Sequence, residues 1–281
     1  MRKMTKLMLG LALPVALMAA ESAFAVKITQ WNYENISAFT GNTGTLVTGL
    51  NPNAETYSIG GSPAVPGGIT GSPTKLEWGV AQTAGGKSNF EIDNAKNAGT
   101  VDTDGAAVHD LTLTHNNFVI NLGSGLTSAT LSGALLMEAN IPATGDTIGP
   151  LLGVFTIKFK ETNNASNPCP VGVQPCPDIF VLDEANSSPV GPFAIGVVQD
   201  YAYFLELVLP DLQNLNAASC AAAASPAGCK GFSTLENQSN PFEILFKITS
   251  RQIPQVPEPG VLALLGLGLA GLGFGQTRRR K

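Results

Sequence analysis

Between its two ends this chain alternates polar and apolar residues with a period of two, and that rhythm restricts it to β-structure. In VFTIKFK, Phe155, Ile157 and Phe159 share one face while Thr156, Lys158 and Lys160 share the other. In FEILFKIT, Ile244, Phe246 and Ile248 oppose Glu243, Lys247 and Thr249, and in YAYFLELVL the set Tyr201, Tyr203, Leu205, Leu207 and Leu209 aligns. Successive strand side chains point to opposite faces, so such a run buries one face and wets the other. KITQWNY, KLEWGVAQ, LTLT, ATLSGALLM and DIFVLDE supply further strands, and Gly, Pro and Asn punctuate them. Many short strands separated by turn signals predict an all-β fold, an antiparallel β-sandwich. The one tempting helix, Ala221 to Ala224, is cut short by Pro226 and Gly228. The Gly/Pro stretch from Gly60 to Pro73 reads as a long surface loop rather than a domain boundary, and no internal repeat emerges.

The two ends have a different character. Arg2, Lys3 and Lys6 precede an apolar run from Leu7 to Ala20, and Ala23-Phe24-Ala25 places small residues at the −3 and −1 positions of a cleavage site. A basic start, a short apolar segment and an A-x-A stop describe a secretory signal helix, not a membrane anchor. Residues 1–25 are thus a signal peptide, and the mature chain begins at Val26. At the other end, Gly260 to Gly275 is uncharged and almost wholly apolar, Gln276 and Thr277 extend it, and Arg278, Arg279, Arg280 and Lys281 follow. Eighteen helical residues reach about 27 Å, close to the roughly 30 Å of a hydrocarbon core. By the positive-inside rule the terminal cations stay on the cytoplasmic side. The expected organisation is a signal peptide (1–25), a β-sandwich body (26–253) and a tail (254–281) with a single membrane-spanning helix. The body then faces outward from a membrane-anchored precursor.

Val256-Pro257-Glu258-Pro259, a short glycine-rich apolar helix and a terminal arginine cluster, in that order, resemble the PEP-CTERM sorting signal. Tails of that family belong to exported proteins of Gram-negative bacteria and are handled by exosortase, a membrane protease-transferase. The resemblance implies that Pro257, Glu258 and Pro259 are the sorting signal. Both prolines fix φ and lack an N–H donor, so the tripeptide stays extended where it leaves the bilayer.

Without its ends the body holds nine Lys and Arg against nineteen Asp and Glu, a net charge of about −10. That balance excludes nucleic acid and anionic lipid as natural partners. Only 13% of the chain is charged, so its polar surface rests on Asn, Thr, Ser and Gln. Four cysteines stand as two local pairs, in CPVGVQPC and CAAAASPAGC. An even count in an exported chain points to disulfides with three possible connectivities. The short separations and turn residues favour Cys169–Cys176 and Cys220–Cys229. A zinc site lacks the C-x-x-C spacing and a neighbouring histidine.

Both histidines of the chain fall in VHDLTLTHNNFVI. Leu111, Leu113, His115 and Asn117 share one parity, whereas Phe118 and Ile120 lie on the other, so a bulge or bend at His115–Asn117 is expected. Thr114, His115 and Asn117 also resemble the Thr-His-x-Asn motif that names a group of PEP-CTERM proteins, with Val119 where members carry proline. The CPDIFVLDE and NQSNPFEILFKI stretches extend that resemblance over most of the body, and it implies no activity. The three residues are read as structural. No G-x-S-x-G is present, and His109 and Asp110 are strand neighbours on opposite faces. Asp102-x-Asp104-Gly105 lacks the later ligands of a calcium loop and reads as a solvated turn. No catalytic, cofactor-binding or metal-binding residue is assigned.

The sequence therefore describes a non-catalytic exported protein of the cell surface or extracellular matrix, processed by exosortase. Association with extracellular polysaccharide is what the resemblance implies. A secreted glycan- or ice-binding protein is the alternative; it would present a flat Thr-rich face or expose Trp31 and Trp78. A secreted hydrolase is the weaker alternative, and it would have to bring Glu206 and Glu243 together as a carboxylate pair.

Overall fold

A computed structural model describes residues 26–82, 84–121, 123–254 and 266–269. The alternating runs form fourteen strands in two seven-stranded sheets. In order across the first sheet lie β12 (Gln213–Asn214), β13 (Lys230–Thr234), β9 (Asp178–Leu182), β8 (Thr147–Lys160), β7 (Leu126–Ile141), β1 (Gln30–Gly44) and β5 (Lys96–Asp102). The second sheet runs β10 (Phe193–Val198), β11 (Tyr201–Val208), β14 (Gln238–Gln252), β6 (Val108–Asn117), β4 (Ser88–Ile92), β3 (Pro73–Trp78) and β2 (Val47–Pro52). Every strand pairing within the sheets is antiparallel, which is the predicted sandwich.

Two apolar clusters fill the space between the sheets. One gathers Phe39, Leu76, Trp78, Phe90, Leu113, Leu131, Ile157, Phe159 and Phe180. The other gathers Trp31, Val101, Met137, Ile148, Tyr203, Leu205, Phe246 and Ile248. The period-two faces read from the sequence thus meet across the sandwich, Ile157 and Phe159 in the first cluster, Phe246 and Ile248 in the second. Burying each large side chain contributes about 1.5–3 kcal/mol, which is why these runs set the fold. Trp31 and Trp78 are both wholly buried, so neither forms an exposed aromatic platform.

The Gly/Pro-rich stretch belongs to the connection between β2 and β3, which pair with one another and so leave no boundary there. Tyr57 and Ile69 from this loop pack on Ile36, Ala38, Ala134 and Leu136, covering the outer face of the first sheet. Tyr57 donates its hydroxyl to the Ala134 carbonyl at 2.7 Å. The middle of β1 is therefore buried on both faces. The alanine run forms one short helix, α1 (Ala217–Ala222), whose first turn is capped by Asn216 accepting from the Ser219 N–H at 2.8 Å.

The break expected at His115–Asn117 comes as the end of β6 at Asn117, after which Ile120, of the opposite parity, returns to the core; a bulge also lies farther up the strand. β6 pairs with β14 without a shift from Leu111 to Asn117, and the register slips between Ile244 and Leu245, which oppose Leu111 and His109. Asp110 is the extra residue of this bulge. Val108 and Asp110 face inward before it, and Leu111, Leu113, His115 and Asn117 after it. His115 and Asn117 are polar, yet they stay on the inner face and are wholly buried. Asp110 is held in the interior by the Asn35 amide, which donates to it at 2.6 Å, and burial pushes its carboxyl up to about 6.

Candidate functional site

Three strand ends of the first sheet converge beside the inner face of β6. Glu161 follows the last residue of β8, Asp178 opens β9, and Glu236 sits in the turn from β13 to β14. Because β13 pairs with β9, Thr234 lies directly opposite Asp178. One carboxylate oxygen from each of Glu161, Asp178 and Glu236 lies within 4.8 Å of the other two. Asp178 is fully buried and Glu236 nearly so. Glu161 is partly buried and also lines an open cleft of about 330 Å³ with Thr45, Ser124, Leu126 and Lys160.

The second sheet supplies the roof. His115 stacks on Trp78 with centroids 5.4 Å apart and meets Phe90 and Phe159 edge-on at 4.9 and 5.2 Å. Its Nδ1 lies 2.9 Å from the Thr234 hydroxyl, and the Asn117 amide donates to the Thr234 carbonyl at 3.1 Å. Burial without a charged partner lowers the His115 pKa to about 3, so the ring is neutral.

The loop from β8 to β9 supplies the walls. Thr162 donates its N–H to Asp178 Oδ1 at 2.7 Å and its hydroxyl to the Cys176 carbonyl at 2.8 Å. Asn164, with its amide turned to satisfy both ends, donates to Glu236 Oε1 at 2.9 Å and to the Cys176 carbonyl at 3.1 Å. Cys169 and Cys176 are disulfide-bonded with Cα atoms 5.6 Å apart, a staple farther along the same connection, whose Cys176 carbonyl accepts from both donors. The second disulfide, Cys220–Cys229, ties α1 to the start of β13 with Cα atoms 5.8 Å apart.

Charge sets this site apart from the buried acid Glu34. Burial also opposes ionisation of Glu34, yet bonds from Ser58 and from Lys96, 3.0 Å away, hold its carboxyl below the usual range. The triad has no such partner: among the described residues, no Lys or Arg forms an ion pair with Glu161, Asp178 or Glu236. Burial and the neighbouring Glu236 push Glu161 up to about 8. Burial and Glu161 push Asp178 well above its ordinary value. Burial raises Glu236 as well, against bonds from Asn164 and Asn117. Three carboxylates this close cannot all ionise in an apolar setting without a compensating positive charge. Such an arrangement either retains protons or holds a cation.

The residues singled out in the sequence separate in space. His109 is exposed, 3.0 Å from the Thr112 hydroxyl, and shares no site with His115. Thr114 has the opposite strand parity to His115 and Asn117 and is half-buried. Asp104 receives Lys27 at 2.6 Å and both the N–H and hydroxyl of Ser250, so its turn is tied down by protein donors rather than arranged as a calcium loop. Glu206 is taken by Lys247 at 3.1 Å and Glu243 is exposed, so the two form no carboxylate pair. Glu161 and Glu236 stand in what read as solvated turns, whereas Asp178 opens the DIFVLDE stretch already read as a strand. Ala23, Ala25, Pro257, Glu258 and Pro259 lie outside the described residues, as does most of the expected membrane helix. Residues 266–269 are helical, and among the described residues no helix is long and apolar enough to cross a membrane.

No curated protein matches the chain. The last strand ends at Gln252, and the stretch that begins three residues later has a recognisable identity. Residues 255–280 match the PEP-CTERM protein-sorting motif, so the chain carries the sorting tail of a PEP-CTERM protein.

Proposed function

We infer that this is an exported surface or extracellular-matrix protein whose precursor is sorted and cut by exosortase, leaving the β-sandwich as a non-catalytic body. The observation that carries this reading is the sorting motif at residues 255–280, placed directly after the last strand of the sandwich. The two disulfides support it, since such bonds persist in oxidising compartments outside the cytoplasm. Extracellular polysaccharide is the partner class proposed for the body, in keeping with its acidic, hydroxyl- and amide-rich composition and with a family whose tails mark exported proteins. Before processing, the tail anchors the precursor with the body outside. The Thr-His-x-Asn residues Thr114, His115 and Asn117 are assigned a structural role, two of them in the roof of the acidic site.

The test replaces Pro257, Glu258 and Pro259 with alanine, the best helix former, so that the membrane helix extends through the recognition peptide. In a host with exosortase, the parent should lose Arg278 to Lys281 while the variant accumulates as a membrane-bound, uncut form. Equal processing of the two in matched strains with and without exosortase would sink the reading.

A further inference from the structure

The acidic triad is built from oxygen donors alone. Glu161 Oε2, Asp178 Oδ2 and Glu236 Oε2 are each buried and without a hydrogen-bond partner. Asn117 adds an independent sign. Its side chain is wholly buried and bonded to Glu236, and its carbonyl oxygen has no partner. The Trp78 indole N–H leans toward Glu161, but the three carboxylate oxygens and the Asn117 carbonyl still lack a partner at hydrogen-bonding distance, and buried polar atoms left unpaired together need a common explanation.

We propose that Glu161, Asp178 and Glu236, with the Asn117 carbonyl, form a calcium-binding site that closes this end of the sandwich. The all-oxygen donor set favours calcium, and the spacing accommodates it. Calcium binds oxygens at about 2.3–2.6 Å, so ligands on opposite sides of one ion stand up to about 5 Å apart. The 4.8 Å limit of the triad fits within that span. Magnesium requires about 2.0–2.1 Å and a near-ideal octahedron, and the site contains neither the nitrogen nor the sulfur donors that zinc prefers. The aromatic roof of Trp78, Phe90 and Phe159 keeps the field of the carboxylates unscreened on one side, and the cleft beside Glu161 opens a path to solvent. The acidic body raises the local cation concentration further. The ion bridges the ends of β8 and β9 to the β13–β14 turn, so it stabilises the folded body and is released when that end opens.

The test uses the processed, disulfide-bonded protein stripped with EDTA. At millimolar calcium its melting temperature should rise by about 5–10 °C, as expected for a ligand at roughly a hundred times its Kd and a body of this size. Magnesium at the same concentration should move it much less. Terbium, a calcium substitute, should luminesce on excitation of Trp78, and calcium should quench that signal. Glu161→Gln and Asp178→Asn keep the shape and remove charge. Both variants should melt no lower than the parent in EDTA and lose the calcium response and the terbium signal. Two results overturn the proposal. One is a parent protein that answers to neither calcium nor terbium, which leaves a proton-sharing carboxyl cluster. The other is a calcium response that survives in both variants, which places the ion elsewhere.

Discussion

His115 offers a measurement of the interior that is independent of any ligand. The ring is sealed between Trp78, Phe90 and Phe159, and its pKa in the folded protein is lowered from 6.5 to about 3. Below pH 6.5 the unfolded chain takes up a proton at this residue that the folded chain refuses. The stability His115 contributes is therefore complete above pH 6.5 and is lost as pH falls toward about 3. Each pH unit well inside that window is worth about 1.4 kcal/mol, so a fall from pH 6.5 to 4.5, which starts with the unfolded residue half protonated, removes about 2.3 kcal/mol. His115→Phe preserves a ring among the aromatic neighbours and abolishes the titration. At pH 7 the variant should be less stable by about 1–3 kcal/mol, through the lost bond to Thr234 and the tighter fit of a larger ring. The gap should then narrow or reverse as pH falls, by about 2–3 kcal/mol at pH 4.5. Urea unfolding of both proteins in EDTA, with the slope of free energy on urea held in common, reads this directly. The carboxylates titrate in both proteins and cancel in the difference. Parallel stability curves between pH 7 and 4.5 would refute a buried, neutral His115.

Replacing Cys169 and Cys176 with alanine should cost about 2–3 kcal/mol, the entropy of closing a short loop, visible as a lower urea midpoint. Non-reducing peptide mapping should recover only Cys169–Cys176 and Cys220–Cys229, and any peptide joining the two loops would contradict the structure. Phe90→Ala should destabilise by about 3–5 kcal/mol, since Phe90 touches Trp78, His115, Phe159 and Phe180 with no solvent exposure; thermal unfolding shifted by less than about 1 kcal/mol would show that the core collapses around it. N-terminal sequencing of the exported protein should begin at Val26, and an intact Met1 would remove the export reading.

What the chain states by itself is what depends on neighbours in sequence. Phe155, Ile157 and Phe159 announce a strand face because alternation is a property of a few consecutive residues. Cys169–Cys176 and Cys220–Cys229 were legible because each loop is too short for its ends to separate far. The sorting tail was legible because a processing enzyme and a bilayer read it as a linear segment. Tertiary structure decided what depends on register and on which loops meet. Nothing in the sequence marks Asp110 as a bulge; only the pairing with β14 shows that it is the extra residue. The 53–72 loop reads as solvated until Tyr57 and Ile69 are seen packed over β1 and β7. Glu161 and Glu236 occupy turns that resemble other polar turns of the chain, and Asp178 opens a strand like any other. Strand pairing within the first sheet brings their ends together, and the sealed aromatic layer behind them removes the water that would otherwise screen their charges.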